Sequence, residues 1–163
     1  MEGKVYSNEY SKKMSERSWQ WVLEALPYTE PFLFVDELTN IHATGAEGRY
    51  RFPPDAYFYK GHFKDRPVTP GVLLTECCAQ IGLVSLGIFL LKNEKNLQHL
   101  TIGMSSTAME FLKPVFPGEI VRVVSVLEYF RFQKLKCSVK MFNEENNLVC
   151  KGTIAGMIGF NNG

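Results

Sequence analysis

Apolar positions change their period along the chain, and the changes divide it into elements. Trp19, Val22, Leu23 and Leu26 recur at helical spacing until Pro27 stops the pattern, so a short N-terminal helix is predicted over 15–26. Pro31 opens an apolar run over 32–35, read as a strand continuing to about Ile41. Gly45 and Gly48 then mark a turn before a short strand over 49–52. Residues 53–70 hold four prolines and the aromatics Tyr57, Phe58, Tyr59 and Phe63, the composition of a long ordered loop. A main helix over 69–91 follows, with Thr69 as its N-cap and Pro70 in the first helical position. Beyond Asn96 the period falls to two, which predicts strands over 100–112, 119–132, 134–142 and 148–160. The third is the cleanest, with Leu135, Cys137, Val139 and Met141 on one face and Lys134, Lys136, Ser138 and Lys140 on the other. Residues 144–147 form the turn into the last strand.

The main helix is apolar on nearly every side. Over 72–91 the only polar side chains are Thr75, Glu76, Gln80 and Ser85. That length spans a bilayer, but Glu76 would cost about 2.5–3.5 kcal/mol in hydrocarbon and no second span exists, so a buried core helix is expected. Such a helix must be wrapped, and an antiparallel meander curving around it is the economical solution. The expectation is therefore α+β, one domain over 1–163 with a polar lead-in over 1–14. A long exposed sheet edge invites a symmetric partner, so a homodimer is expected.

Composition narrows the function. Eighteen Lys plus Arg against 17 Asp plus Glu leave a formal charge of +1, unlike a dedicated nucleic-acid binder. The start lacks the apolar stretch of a secretory signal. The four cysteines form no CxxC pair and none has a histidine at zinc-site spacing, so no metal site is expected and a reduced, cytoplasmic chain is the simplest reading.

Candidate chemistry concentrates in residues 61–76. His62, between Gly61 and Phe63, is a side chain that can be neutral near pH 7 and act as a base. Gly71 falls in the first helical turn, where its N–H lacks an intrahelical acceptor and can polarise a carbonyl oxygen. Glu76 lies two turns in among Leu73, Leu74, Cys77, Cys78 and Ala79, an apolar setting without a nearby cation that favours the uncharged carboxyl. A base, an acid and a carbonyl-polarising amide suit elimination beside a thioester. Gln80, one turn after Glu76, can orient the carboxyl or be a satisfied core amide. His42 and His99 sit at strand ends and are expected to be solvated.

The combination resembles the β-hydroxyacyl-acyl carrier protein dehydratases of fatty acid synthesis, the FabZ type with a hot dog fold. The likeness lies in Leu26-Pro27 with Pro31-Phe32-Leu33-Phe34-Val35-Asp36, in Gly61-His62-Phe63, in Pro67-Val68 and Pro70-Gly71-Val72-Leu73, in Glu76 with Ala79-Gln80, and in Lys113-Pro114-Val115-Phe116-Pro117-Gly118-Glu119. It implies a curved antiparallel sheet around a long helix. It also implies that the residue matching His62 removes the α-proton of a (3R)-3-hydroxyacyl thioester, while the one matching Glu76 protonates the leaving hydroxyl and the amide matching Gly71 holds the thioester oxygen. The product would be a trans-2-enoyl thioester and water. The substrate would ride on the phosphopantetheine of acyl carrier protein, with no metal or redox cofactor. Each site would take one of the two side chains from each protomer of a homodimer, with assembly into a trimer of dimers left open. Neither nucleic acid nor membrane is an expected partner.

The chain departs from the family pattern where Tyr28 and Thr29 replace the usual histidine and arginine, where Lys64-Asp65 replaces Pro-Gly, and where Thr69 replaces methionine. These changes leave open a role in fatty acid, polyketide or pigment synthesis. Lys60, Lys64 and Arg66 around the loop could attract an acidic carrier protein or form a solvated basic rim. Two other readings stand beside the dehydratase: a hot dog acyl thioesterase, and a non-catalytic acyl-carrier-binding paralogue.

Overall fold

The computed structural model describes residues 18–161. Its centre is the apolar helix, α2, which runs from Gly71 to Leu90. Pro70 caps it in an extended conformation (φ −57°, ψ 134°), so the first helical residue is Gly71 and the predicted start at 69 is two residues early. Thr69 is not the cap. Its hydroxyl is bonded to the Tyr59 hydroxyl at 2.6 Å and its N–H donates to the Val115 carbonyl at 2.8 Å, which ties it into the preceding loop. By length and composition α2 could cross a membrane, yet 78% of its apolar window is buried inside the protein, as expected of a core helix.

α2 is not α-helical throughout. Between Gly71–Ala79 and Ser85–Leu90 lies a π-helical segment, Gln80–Val84, closed by the Ser85 N–H donating to the Gln80 carbonyl. Side chains take up the loosened carbonyls: Ser85 Oγ donates to Gln80 O and Ser125 Oγ to Gly82 O, both at 2.8 Å. Gly82 is required here, since a Cβ would stand 2.9 Å from the Ser125 Cβ and 3.1 Å from a Val139 methyl.

A six-stranded antiparallel sheet wraps the helix. Its strands are β1 (Glu37–His42), β2 (Gly45–Arg51), β3 (Leu100–Phe111), β4 (Ile120–Arg131), β5 (Lys134–Phe142) and β6 (Leu148–Phe160), in the order β1-β2-β4-β5-β6-β3. This is the hot dog arrangement. Alternation on β5 is as read from the sequence: Leu135, Cys137, Val139 and Met141 are buried and meet Ile81, Leu83, Leu86 and Ile88 of the helix in one core. Each such aliphatic side chain contributes about 1.5–3 kcal/mol on burial, the main force holding sheet to helix. All four cysteines are free and buried.

Three expectations change at the N-terminal side. The first helix, α1, is Gln20–Ala25, with Trp19 meeting Phe89 edge-on at 5.9 Å; residues 1–17, and with them the polar lead-in and the predicted helix start, lie outside the described residues. Residues 32–35 are not a strand. Phe34 and Val35 are buried, but the Phe34 backbone is bonded by side chains of α2: Phe34 N–H donates to Gln80 Oε1 at 2.8 Å, and Cys77 Sγ donates to Phe34 O at 3.5 Å. Gly45 and Gly48 lie within β2, and the turn falls at Ala43-Thr44. At the sheet's borders, β1 is short and irregular between Leu38 and Asn40, whereas β3 is long and mostly exposed.

Candidate active site

The long loop is built around short hydrogen-bonded turns. A 3-10 helix, Tyr57–Lys60, ends with the N–H groups of Gly61 and His62 both donating to the Phe58 carbonyl. His62 is then clasped to Val68 twice. Its carbonyl accepts the Val68 N–H at 2.9 Å, and its Nδ1 lies 2.8 Å from the Val68 carbonyl oxygen. A carbonyl can only accept, so Nδ1 carries a proton, and in the neutral form of the ring the bare lone pair is then on Nε2. The ring stacks on Phe63 at 4.2 Å. One residue beyond Val68, the buried Tyr59–Thr69 hydroxyl pair closes the neck of the loop and joins it to the start of α2.

Gly71 opens that helix, and its N–H donates to no group among the described residues. The Phe111 ring lies over it, 3.3 Å from where a Cβ would stand. A cavity of about 310 Å³ borders this point, lined by Thr69, Gly71, Leu74 and Phe111 among others. The helix end supplies an unpaired amide and partial positive charge to whatever enters it.

Glu76 follows on the same helix and is half-buried. Gln80, fully buried, donates through Nε2 to Glu76 Oε1 and to the Phe32 carbonyl, both at 3.0 Å, while its Oε1 takes the Phe34 N–H. Both N–H donors and the carbonyl oxygen of that amide are engaged, so its orientation is fixed. Tyr28 lies nearby. Burial, and secondarily the Glu76 charge, push its phenol up to about 12. Among the described residues Glu76 joins no ion pair, and it does not touch His62 of the same chain.

Lys60, Lys64 and Arg66 are exposed on the loop, and none is ion-paired among the described residues. His42 and His99 are exposed, as expected; His42 Nδ1 accepts the Thr44 N–H at 3.2 Å. Among the described residues no cluster of His, Cys, Asp and Glu could hold a metal ion.

Residues 26–154 match the family model described as FabA-like domain. The chain belongs to the FabA-like family. The FabA-like domain takes in every site residue above and ends within β6. The chain is 36% identical over 115 residues to a 3-hydroxyacyl-[acyl-carrier-protein] dehydratase FabZ of Bacillus licheniformis, covering 70% of this chain and 76% of the relative. It is 35% identical over 103 residues to the protein of the same description from Clostridium botulinum strain Loch Maree, covering 63% and 69%. Among solved structures, the dehydratase heterocomplex ApeI:P from Xenorhabdus doucetiae superposes with a TM-score of 0.71 at 12% identity, covering 86% of this chain and 91% of that one. A hypothetical thioesterase with coenzyme A from Streptococcus pneumoniae TIGR4 superposes at 0.56 with 11% identity, covering 90% and 98%. At those identities the likeness shows the hot dog fold alone.

The sequence reading missed three contributors. The Tyr59–Thr69 bond was hidden because a threonine before Pro-Gly reads as a helix cap. Phe111 reaches Gly71 from a strand that begins far along the chain, and Ser125 reaches the helix backbone from β4. No local pattern announces such contacts.

Proposed function

We propose that the protein is a hydro-lyase that converts a (3R)-3-hydroxyacyl-acyl carrier protein into the trans-2-enoyl thioester and water. The observation that carries this reading is the His62–Val68 clasp, which leaves Nε2 available as a base on the loop that leads into the helix whose first amide, that of Gly71, stands free. Nε2 takes the proton from C2, and the Gly71 N–H bears the charge that develops on the thioester oxygen. The C–H electron pair forms the double bond as the C3–O bond breaks and its pair leaves with oxygen. Glu76, protonated at the start, gives that oxygen its proton, and Gln80 holds the carboxyl in place. A proton passing back from His62 to Glu76 resets the site. Protons and electrons balance with these groups and the substrate, so the proposal calls for no metal or redox cofactor.

Because His62 and Glu76 of one chain do not touch, the reading includes a homodimer. A second copy would pair along the exposed edge of β3, where Met104, Phe111 and Leu112 offer apolar surface, and each site would combine His62 of one copy with Glu76 of the other. Lys60, Lys64 and Arg66 would steer the acidic carrier whose phosphopantetheine arm delivers the acyl group. Four reduced cysteines suit a cytoplasmic setting.

The test is to offer the purified protein 3-hydroxyacyl thioesters of graded length and follow loss of water by mass. His62→Ala and Glu76→Gln should each lower turnover by at least about a hundredfold. Release of free thiol would assign the protein to the thioesterases instead, and carrier binding without turnover at any length would make it a binding subunit.

A further inference from the structure

Tyr28 has no role in the steps above, yet the structure ties the segment that carries it to the acid. It follows Leu26-Pro27 at the end of α1, just before a turn closed by the Phe32 N–H donating to the Thr29 carbonyl at 2.9 Å. The Phe32 carbonyl then receives Gln80 Nε2, the same nitrogen that holds Glu76 Oε1. One buried amide therefore pins the segment carrying Tyr28 to the carboxyl. The Tyr28 ring packs against the core and is half-buried, so its position is set. Its hydroxyl has no hydrogen-bond partner among the described residues, and it is not sealed from solvent. By contrast, Tyr59 spends its hydroxyl on Thr69.

An unspent, solvent-open donor on a half-buried ring, carried by the segment that Gln80 ties to the proposed acid, is free to take an acceptor from the substrate. We infer that the Tyr28 hydroxyl donates a hydrogen bond to the 3-oxygen of the bound hydroxyacyl chain, alongside Glu76. It orients the C3–O bond for cleavage and makes the site select hydroxylated over saturated chains. Tyr28 keeps its proton throughout: Glu76 supplies the one that leaves with water, and the Tyr28 bond is only lengthened or shortened as oxygen departs. Burial, and secondarily the Glu76 charge, push the Tyr28 phenol up to about 12, so near neutral pH it keeps its O–H as a donor. The histidine usual in the family at this place would not be a constant donor in that way.

This inference rests on the dehydratase reading, and the experiment separates the two. In the Glu76→Gln protein, where turnover is slow enough to measure binding, the affinities of a 3-hydroxyacyl pantetheine thioester and of its saturated counterpart are compared with and without Tyr28→Phe. That substitution removes one oxygen and keeps the ring. The hydroxyacyl thioester should lose about fivefold to tenfold in affinity, the usual worth of one hydrogen bond, while the saturated one is unchanged. In the protein with Glu76 intact, Tyr28→Phe should lower kcat about tenfold. Equal losses for both thioesters, or no loss for either, would overturn the inference by making Tyr28 a packing residue or a bystander. Tyr28→Leu, which also removes the ring, should weaken both thioesters and so calibrates a packing loss. If the unsubstituted protein fails to dehydrate its substrate, the dehydratase reading falls, whereas the binding comparison still reports whether Tyr28 senses a 3-hydroxyl.

Discussion

The proposed base, His62, owes its form to an acceptor that has no proton to give. With the Val68 carbonyl 2.8 Å from Nδ1, the His62 ring cannot exchange the roles of its nitrogens without losing that bond. What keeps Val68 in place is the neck of the loop, where the Tyr59 and Thr69 hydroxyls meet at 2.6 Å in a buried setting. Removing one hydroxyl strands the other, and a buried unpaired hydroxyl costs about 1–3 kcal/mol, whereas removing both leaves apolar groups of similar shape. Tyr59→Phe and Thr69→Val should therefore each lower the unfolding free energy by about that amount, and the double substitution should lose less than the sum, as read by urea denaturation. The spacing of His62, Gly71 and Glu76 was legible in the sequence because all three lie on one loop-helix unit. The Tyr59–Thr69 pair was not, because each residue has an ordinary local explanation, an aromatic in a loop and a cap before proline.

At the scale of elements, the strands that were legible are those that need the sheet for both purposes, burial of alternate side chains and pairing of the backbone. β5 and β6 have the predicted bounds for that reason. Residues 32–35 differ from a strand because they separate the two: Phe34 and Val35 fill the core, but Gln80 and Cys77 bind the backbone of Phe32 and Phe34 from the helix. A period of two and a short apolar run look alike until the source of the hydrogen bonds is known. The helix itself depends on close approach at one point. A methyl at position 82 would meet the Ser125 Cβ at 2.9 Å and Val139 at 3.1 Å, both on strands that cannot withdraw freely. Gly82→Ala should destabilise the protein by about 1–3 kcal/mol, the range for overpacking, measured as a lowered urea midpoint with unchanged slope.

For the whole molecule, the proposed sharing of sites between two copies has a numerical signature. A mixture of equal amounts of His62→Ala and Glu76→Gln chains, unfolded and refolded together, should form heterodimers as half of all dimers. Each heterodimer has one site with both native groups and one with neither, so about a quarter of the full activity should return from two inactive proteins. Activity that stays at the level of the separate variants would place both groups in one chain. The π-helical segment Gln80–Val84 bears on how a single rod serves such an arrangement. One residue more than an α-turn requires shifts all that follows by about 100° around the axis. The insertion thus acts as a phase adjuster: the half-buried Glu76 lies on the leading half of the rod, while the trailing half, with Ser85, Leu86, Gly87 and Ile88 buried, is indexed to the core independently of it.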